Sequence, residues 1–130
     1  MTIQLIKKGT TEAAYEVIVN GNSASYSIEG VEAGTYTMKV MKNNHVAREY
    51  TVTVGSSNVV QDVKIHLKGD IDGNGTITTK DRTFINRHLE ETKLLTDYQF
   101  LCGDIDGNGT ITTKDRTFIN RHLEETKLLW

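Results

Sequence analysis

The chain has 130 residues, of which 37% are hydrophobic and 25% are charged, and it contains no proline. This length allows one domain or two small ones, and the composition is that of a globular chain. No apolar run approaches the ~20 residues that a membrane-spanning helix needs. Residues 1–68 carry seven Lys/Arg and six Asp/Glu, whereas residues 69–130 carry eight and eleven. The acidic excess of the second half argues against nucleic acid as a partner and favours a cation.

The sequence of residues 1–68 predicts β-strands. Six short runs with partial polar–apolar alternation are separated by turn sequences such as EGVEAG and GSSN; they are TIQLIK, YEVIV, ASYSI, TYTMKVM, REYTVTV and DVKIHLK. Strands at this spacing are typical of a small all-β sandwich, which we predict at residues 1–68. In the last run His66 falls on the polar side of the alternation, so we expect it to face solvent.

From Gly69 onward the sequence repeats itself. The stretch GDIDGNGTITTKDRTFINRHLEETKLL at positions 69–95 returns unchanged at positions 103–129. Each copy begins with a loop rich in glycine and aspartate and continues with a helical pattern that has an apolar stripe, Phe84, Ile85 and Leu89 in the first copy. The offset between the copies, from Gly69 to Gly103, equals the period of a helical-hairpin repeat. We reject that architecture, because a loop stands where its first helix would be.

The residues between the copies predict a short helix. In TDYQ, Thr96 is a candidate N-cap and Gln99 follows three positions later, which is the pattern of a capping box. The helical turn that follows would carry Tyr98 and Phe100 and connect the repeats. The single cysteine, Cys102, lies in the apolar stretch YQFLCG, where we expect it to be a small buried hydrophobic residue.

The repeated loop has the spacing of a twelve-residue calcium loop. Counted from Asp70, oxygen-bearing side chains fall at positions 1, 3, 5, 9 and 12, glycine occupies position 6, and position 7 would contribute its backbone carbonyl. Ca²⁺ takes about six to eight oxygen ligands, so alternate residues of a tight loop must point inward. We therefore predict two Ca²⁺ ions. The predicted ligands are Asp70, Asp72, Asn74, Thr76, Thr78 and Asp81 in the first copy, and Asp104, Asp106, Asn108, Thr110, Thr112 and Asp115 in the second.

Two features depart from an ordinary EF-hand. Position 12 carries Asp81 or Asp115 where the pattern expects Glu, and the first loop follows the predicted strand DVKIHLK instead of an entering helix. The alternative is an Asx- and Gly-rich turn that binds no metal. Three carboxylates in each loop favour the cation, because without one they repel each other.

A duplicated calcium loop followed by one helix, with no entering helix, resembles the dockerin family, whose members bind the cohesin domains of cellulosome-type assemblies. The resemblance covers residues 69–130, with repeats at 69–95 and 103–129. The preceding segment is similar to the X modules and carboxypeptidase-regulatory-like sandwiches that often stand before dockerins. The expected fold is thus a small all-β sandwich followed by an all-α dockerin domain with two calcium-loop-plus-helix repeats.

The resemblance also implies a partner and the residues that contact it. The partner would be a cohesin domain of a scaffoldin or cell-surface protein, with no nucleic acid and no membrane insertion. In dockerins, loop positions 10 and 11 and helix positions 17, 18 and 22 contact cohesin. Carried onto this sequence, these positions are Thr79, Lys80, Asn86, Arg87 and Glu91, then Thr113, Lys114, Asn120, Arg121 and Glu125. Lys80 and Lys114 stand where many members have Ser or Thr, which leaves the identity of the partner cohesin open.

Identical copies would present nearly the same surface twice, so the partner could dock in two orientations related by a half turn. Cellulosome-type assemblies are extracellular, and we therefore expect a fragment of a secreted protein, located outside the cell or at a bacterial cell surface. The opening segment TIQLIKKGTTEAAYEVIVNG alternates polar and apolar residues and is not a secretion signal.

Other functions fit the sequence less well. An enzyme is not expected, because the four histidines have no catalytic Ser or Cys partner in the sequence; we expect His88 and His122 to pack against Phe84 and Phe118. An EF-hand-type calcium sensor would carry a Met-rich groove, but all three methionines lie in the first half of the chain, none later than Met41. A carbohydrate-binding β-module with a calcium-stabilised tail stays an alternative, although the only tryptophan is Trp130.

Overall fold

The computed structural model describes residues 1–21 and 25–130 and divides them into two units. The β unit comprises Met1–Asn43 and Ala47–Ile65, and the repeat unit comprises Asn44–Val46 and His66–Trp130. The predicted order, a β part followed by a helical part, is confirmed. The domain boundary at Gly69 stays a prediction, since compactness does not show that either part folds alone.

Among the described residues of the β unit, four strands form one antiparallel sheet. They are β1 (Thr2–Lys7), β2 (Ala13–Ile18), β3 (Gly34–Met41) and β4 (Arg48–Val54), in the order β2-β1-β3-β4. Alternation places Tyr36, Met38 and Val40 of β3 on the same buried face as Ile3 and Leu5 of β1, because successive side chains of a strand point to opposite faces.

Segments outside the strands cover this buried face. Tyr26, Ile28, Val31, Val63 and Ile65 pack against it. The predicted strand ASYSI begins at Ala24, which lies outside the described residues, and residues 25–28 have no strand pairing. Four of the six predicted runs thus lie on strands, and the covering layer is irregular chain in the described part of the molecule.

The run DVKIHLK is also not a strand. Side chains of β4 form hydrogen bonds with its backbone where a strand would have backbone–backbone hydrogen bonds. The Lys64 N–H donates to the Tyr50 hydroxyl at 2.9 Å, and Arg48 Nη1 donates to the Lys64 carbonyl at 2.9 Å. Farther along this run, Leu67 forms one isolated bridge with His45. The alternation that suggested a strand arises because Val63 and Ile65 face the sheet.

Three helices form the repeat unit: α1 (Thr79–Leu89), α2 (Asp97–Gly103) and α3 (Thr113–Leu123). The predicted capping box precedes α2, where the Thr96 N–H donates to Gln99 Oε1 at 3.2 Å. No helix among residues 1–21 and 25–130 is long and apolar enough to cross a membrane.

A core of small and branched apolar side chains lies between the helices and the loops that precede α1 and α3. It consists of Ile71, Ile85, Cys102, Ile105, Ile111 and Ile119. Cys102 is fully buried, as predicted. Phe84 and Leu89 of the predicted stripe pack against this core, so each copy contributes both its loop and its helix to one interior.

The two copies contact each other reciprocally. Arg82 Nη1 donates to Asn120 Oδ1 at 3.2 Å, and Arg116 Nη1 donates to Asn86 Oδ1 at 3.2 Å. Exchanging the two copies converts one of these hydrogen bonds into the other. Such reciprocal contacts are typical of packing around a twofold axis.

The end of each copy packs on the start of the other. A Cβ atom added to Gly69 would lie 2.9 Å from Leu129 Cδ1, and one added to Gly103 would lie 3.2 Å from Leu95 Cδ1. Gly69 also has a φ of +88°, which other residues rarely adopt. Glycine is therefore required at Gly69, and at Gly103 a larger residue would push Leu95 aside by a few tenths of an ångström.

Replacing Ile85, which is fully buried, by alanine should lower the free energy of unfolding of the repeat unit by about 2–5 kcal/mol, because a cavity remains in its core. Chemical denaturation followed by the helical circular dichroism signal measures this change. Leu94→Ala is the control: Leu94 is 62% exposed, and its truncation should cost less than about 0.5 kcal/mol. Equal losses in the two variants would contradict the assigned core.

Candidate metal centres

Three carboxylates converge in each copy. Loop 1 runs from Asp70 to Asp81, and in it Asp70, Asp72 and Asp81 each place an oxygen within 4.8 Å of the others. Asp70 and Asp81 are fully buried. Carboxylates brought this close in a buried setting raise the free energy of the loop unless positive charge compensates them.

The backbone of loop 1 wraps around Asp70. Its Oδ1 accepts the N–H groups of Gly73 at 2.9 Å and Asn74 at 3.1 Å, and its Oδ2 accepts that of Gly75 at 2.8 Å. Gly75 has a φ of +93°, so the glycine predicted at position 6 makes the sharp turn that aims these N–H groups inward.

Asp81 ties the beginning of loop 1 to the beginning of α1. Its Oδ1 accepts the N–H groups of Ile71 at 2.8 Å and Asp72 at 3.2 Å, and its Oδ2 accepts that of Thr78 at 2.8 Å. Burial raises the pKa of the Asp81 carboxyl, although the N–H groups of Thr78, Asp72 and Ile71 act in the opposite direction. This side chain is therefore both the capping-box residue of the helix and a candidate metal ligand.

Two of the three remaining predicted ligands of loop 1, Asn74 and Thr78, accept hydrogen bonds within the loop and the helix start. Asn74 Oδ1 accepts the N–H of Thr76 at 2.9 Å, which folds this corner of the loop. Thr78 Oγ1 caps α1 by accepting the N–H of Lys80 at 3.2 Å. A hydroxyl used in this way reaches a cation through water more easily than directly.

Loop 2, from Asp104 to Asp115, repeats this arrangement. Asp104, Asp106 and Asp115 also lie within 4.8 Å of one another. Asp115 Oδ1 accepts the N–H of Ile105 at 2.9 Å and its Oδ2 that of Thr112 at 2.8 Å. The identical sequence thus produces the same carboxylate cluster twice.

A lysine at position 11 is ion-paired with the carboxylate at position 3 in both loops. Lys80 Nζ lies 3.0 Å from Asp72 Oδ2, and Lys114 Nζ lies 2.9 Å from Asp106 Oδ2. Burial raises the pKa of Asp72, but hydrogen bonds from Lys80 and the Asn74 N–H outweigh this effect and lower it. The hydrogen bond from Lys114 likewise lowers the pKa of Asp106.

The donor set of each loop fits calcium. Among the predicted ligands all donor atoms are carboxylate, amide, hydroxyl or carbonyl oxygens, which hard cations such as Ca²⁺ prefer, whereas zinc favours nitrogen and sulfur. The two acidic clusters are therefore able to hold cations, as is typical of calcium-binding loops.

The predicted partner-binding residues lie along α1 and α3 and just beyond their ends. Thr79, Lys80, Arg87 and Glu91 are exposed, as are Thr113, Lys114, Arg121 and Glu125. Asn86 and Asn120 are half-buried and accept the cross-helix hydrogen bonds described above. Eight of the ten positions are thus exposed, and the two asparagines face the seam between the helices.

Glu91 and Glu125, which the dockerin resemblance assigns to a helix position, lie beyond the ends of their helices. Helix α1 ends at Leu89, and Glu91 follows in a left-handed conformation with a φ of 56°. Glu125 has a φ of 55° in the second copy. Both glutamates therefore project from the turn after the helix and not from the helix itself.

The two cross-helix arginines were not predicted from the sequence, and His66 was misplaced by it. Arg82 and Arg116 were not singled out, since nothing local shows that they reach the other helix. His66 is not solvent-facing as predicted: it is half-buried, its ring lies 4.9 Å from that of Tyr98, and its Nδ1 lies 3.7 Å from Cys102 Sγ. The sequence placed it on a strand that does not form.

The histidines of α1 and α3 hold the chain that follows each helix. His88 Nδ1 accepts the N–H of Leu95 at 3.1 Å, and His122 Nδ1 accepts that of Leu129 at 3.2 Å. Their rings pack on Phe100 and Trp130, and the contacts expected with Phe84 and Phe118 stay a prediction. Both imidazoles thus serve packing.

Comparison with known proteins relates the second half of the chain to one family. The profile of the dockerin type I domain family matches residues 68–124. No curated protein matches the chain. Among solved structures, the chain is similar to a chain in a structure from Acetivibrio cellulolyticus. That structure contains the third cohesin ScaC in complex with the ScaB dockerin, which carries a mutation in its N-terminal helix. That similarity has 27% sequence identity, covers 50% of this chain and 92% of that chain, and has a TM-score of 0.46.

Two carboxylate-lined loops, each leading into a helix and packed reciprocally, define a duplicated loop-and-helix binding module. Residues 68–124 are a type I dockerin domain, which confirms the family predicted from the repeated loops. A dockerin module is a protein-interaction domain and not a catalytic one.

Replacing Asp81 by asparagine should abolish strong calcium binding in loop 1, because the loop loses a carboxylate that bridges its two ends. Isothermal titration with CaCl₂ should then find one strong site in place of two. Asp97→Asn is the control, since Asp97 is an exposed acid outside both loops. Two strong sites in the Asp81 variant would show that loop 1 does not bind through this side chain.

Proposed function

We propose that this chain is a calcium-dependent docking module, which attaches a parent protein to a cohesin domain in an extracellular cellulosome-type assembly. The observation that carries the proposal is the pairing of two identical loop-and-helix repeats in one type I dockerin domain. No catalytic role is proposed for either unit. The β unit stands in the place where X modules precede dockerins.

Two Ca²⁺ ions complete the module in this proposal. Each loop brings three carboxylates together, two of them with 9% exposure or less, and one divalent ion for each loop offsets much of this charge. The ligands are the six predicted positions of each loop, with Asp81 and Asp115 closing the coordination from the first turn of α1 and α3. Bound cations therefore stabilise the helix starts that carry the docking face.

The docking face consists of the exposed residues of one helix and its flanking loop. Thr79, Lys80, Arg87 and Glu91 form it in the first copy, together with the half-buried Asn86. The second copy supplies the same five residue types. Exposed long side chains beside a rigid helix are suited to polar contacts with a folded partner.

Either helix can serve as the principal contact in this proposal. The cross-helix contacts are exchanged when the copies are exchanged, and a half turn about such an axis brings each docking face onto the other. A cohesin that recognises α1 therefore finds the same residues on α3 in the reverse orientation.

Removal of calcium should unfold the repeat unit and abolish docking, because each loop then contains three carboxylates without their cation. Circular dichroism in excess EDTA should lose its helical signal, and a cohesin pull-down should fail. Adding back CaCl₂ is the control and should restore both. Unchanged helicity and docking in the chelator would contradict the calcium-dependent function.

Substitutions on the two faces test the two orientations. Lys80→Ala with Arg87→Ala should weaken cohesin binding by only about 0.4 kcal/mol, RT ln 2, because one of two equally populated modes is lost. The matched variant with Lys114→Ala and Arg121→Ala should behave alike. All four substitutions together should cost ~2 kcal/mol or more.

Isothermal titration calorimetry measures these binding free energies. A panel of cohesins is titrated first against the unmodified chain and then against the variants. A large loss from one face alone, with the other face neutral, would show a single orientation. Co-precipitation with insoluble polysaccharide in place of cohesin binding would favour the carbohydrate-binding alternative.

A further inference from the structure

Loops 1 and 2 have identical sequences but unequal surroundings. A Cβ atom added to Gly73 in loop 1 would lie 2.3 Å from Nε2 of His66, whereas one added to the equivalent Gly107 in loop 2 would have nothing within 4 Å. Gly73 is half-buried and Gly107 is exposed. Because the two copies do not differ in sequence, the difference comes from residues outside the repeat.

His66 is held in place over loop 1 by several contacts within the repeat unit. Its N–H donates to the Tyr98 hydroxyl at 2.9 Å, and that hydroxyl donates to the Val46 carbonyl at 2.7 Å. Before the second copy, the position equivalent to His66 is occupied by Phe100. The Phe100 ring packs with His88, 5.7 Å away, and leaves Gly107 uncovered.

The covered loop is also more tightly hydrogen-bonded. The Gly73 N–H donates to the Asp70 carboxylate at 2.9 Å, whereas the Gly107 N–H donates to the backbone carbonyl of Asp104 at 3.3 Å. Asp70 has 0% exposure and Asp104 has 9%. Loop 1 therefore directs one more N–H group at its position-1 carboxylate than loop 2 does.

The contact at position 12 follows the same trend. The Asp72 N–H lies 3.2 Å from Asp81 Oδ1, and the Asp106 N–H lies 3.5 Å from Asp115 Oδ1. The beginning of loop 1 is thus drawn more closely around its position-12 carboxylate than that of loop 2, whereas the helix ends of the two loops are alike.

We propose that the two loops bind Ca²⁺ with unequal affinity, loop 1 more tightly, and that His66 is the positioning residue that causes the difference. The inference rests on the calcium binding proposed above. A loop held in its binding conformation loses less conformational freedom when the ion enters, and the rigidity of a calcium loop sets its affinity. The ring of His66 against Gly73 restrains the backbone between the ligands at positions 3 and 5.

A matched pair of variants isolates each loop. Asp106→Asn weakens loop 2 and leaves loop 1 to be measured, and Asp72→Asn does the reverse in an identical sequence. Isothermal titration of the full chain with CaCl₂, at one pH, should give a Kd for the remaining strong site that is at least about threefold lower in Asp106→Asn than in Asp72→Asn. Equal values, or the reverse order, would overturn the proposal.

Substitution of His66 tests the assigned cause. His66→Ala should raise the Kd of loop 1, measured in the Asp106→Asn background, by at least about threefold, and leave that of loop 2 unchanged in the Asp72→Asn background. His66→Gln keeps a planar polar side chain of similar reach beside Gly73 and should retain more of the affinity of loop 1 than His66→Ala does. A general loss of stability would weaken both loops equally, and that result would overturn the role of His66.

The unmodified chain provides a readout that does not depend on the folding of any variant. The amide signals of Gly75 and Gly109 report the two loops in a nuclear magnetic resonance titration, since these N–H groups bind Asp70 and Asp104. The Gly75 signal should reach its final position at the lower calcium concentration. Simultaneous saturation would overturn the inequality alone, and no shift of either signal would overturn both it and the proposed calcium binding.

Discussion

The repeat unit depends on one interaction above the others, the bridge that the position-12 carboxylate makes across its loop. Asp81 accepts N–H groups from Ile71 at the beginning of loop 1 and from Thr78 at the beginning of α1, so a single side chain fixes where the loop closes and where the helix starts. Closure turns Ile71 into the core, where it is fully buried. The positions of this carboxylate and of Asp115 therefore set the core and the helix directions, and with them the proposed docking face.

The features that sequence predicts well here are local ones. Ligand spacing, the position-6 glycine and the capping boxes are each determined within a short stretch of chain, and they place both loops and all three helices of the repeat unit. Contacts between distant residues were not predictable in this way. Arg82 reaches Asn120 only because the copies pack as a pair, and Tyr50 replaces a strand partner for Lys64 through its hydroxyl, which alternation cannot reveal.

Several residues of the proposed docking face already have intramolecular partners. Lys80 is paired with Asp72, and Asn86 accepts a hydrogen bond from Arg116. A docking partner that engages these groups must either share the existing hydrogen bonds or replace them, and a displaced bond offsets part of the binding free energy. Arg87, which is exposed on α1, is the member of the face best placed to add a new contact.

The reciprocal packing of Leu95 on Gly103 and of Leu129 on Gly69 also limits how the module can grow. Solenoid repeats leave an open end on which another repeat stacks, whereas here each copy fills the surface that a third copy would need. The two repeats form a closed pair, so the fold itself limits the number of repeats to two. Lengthening such a protein therefore requires a second whole module and not an additional repeat.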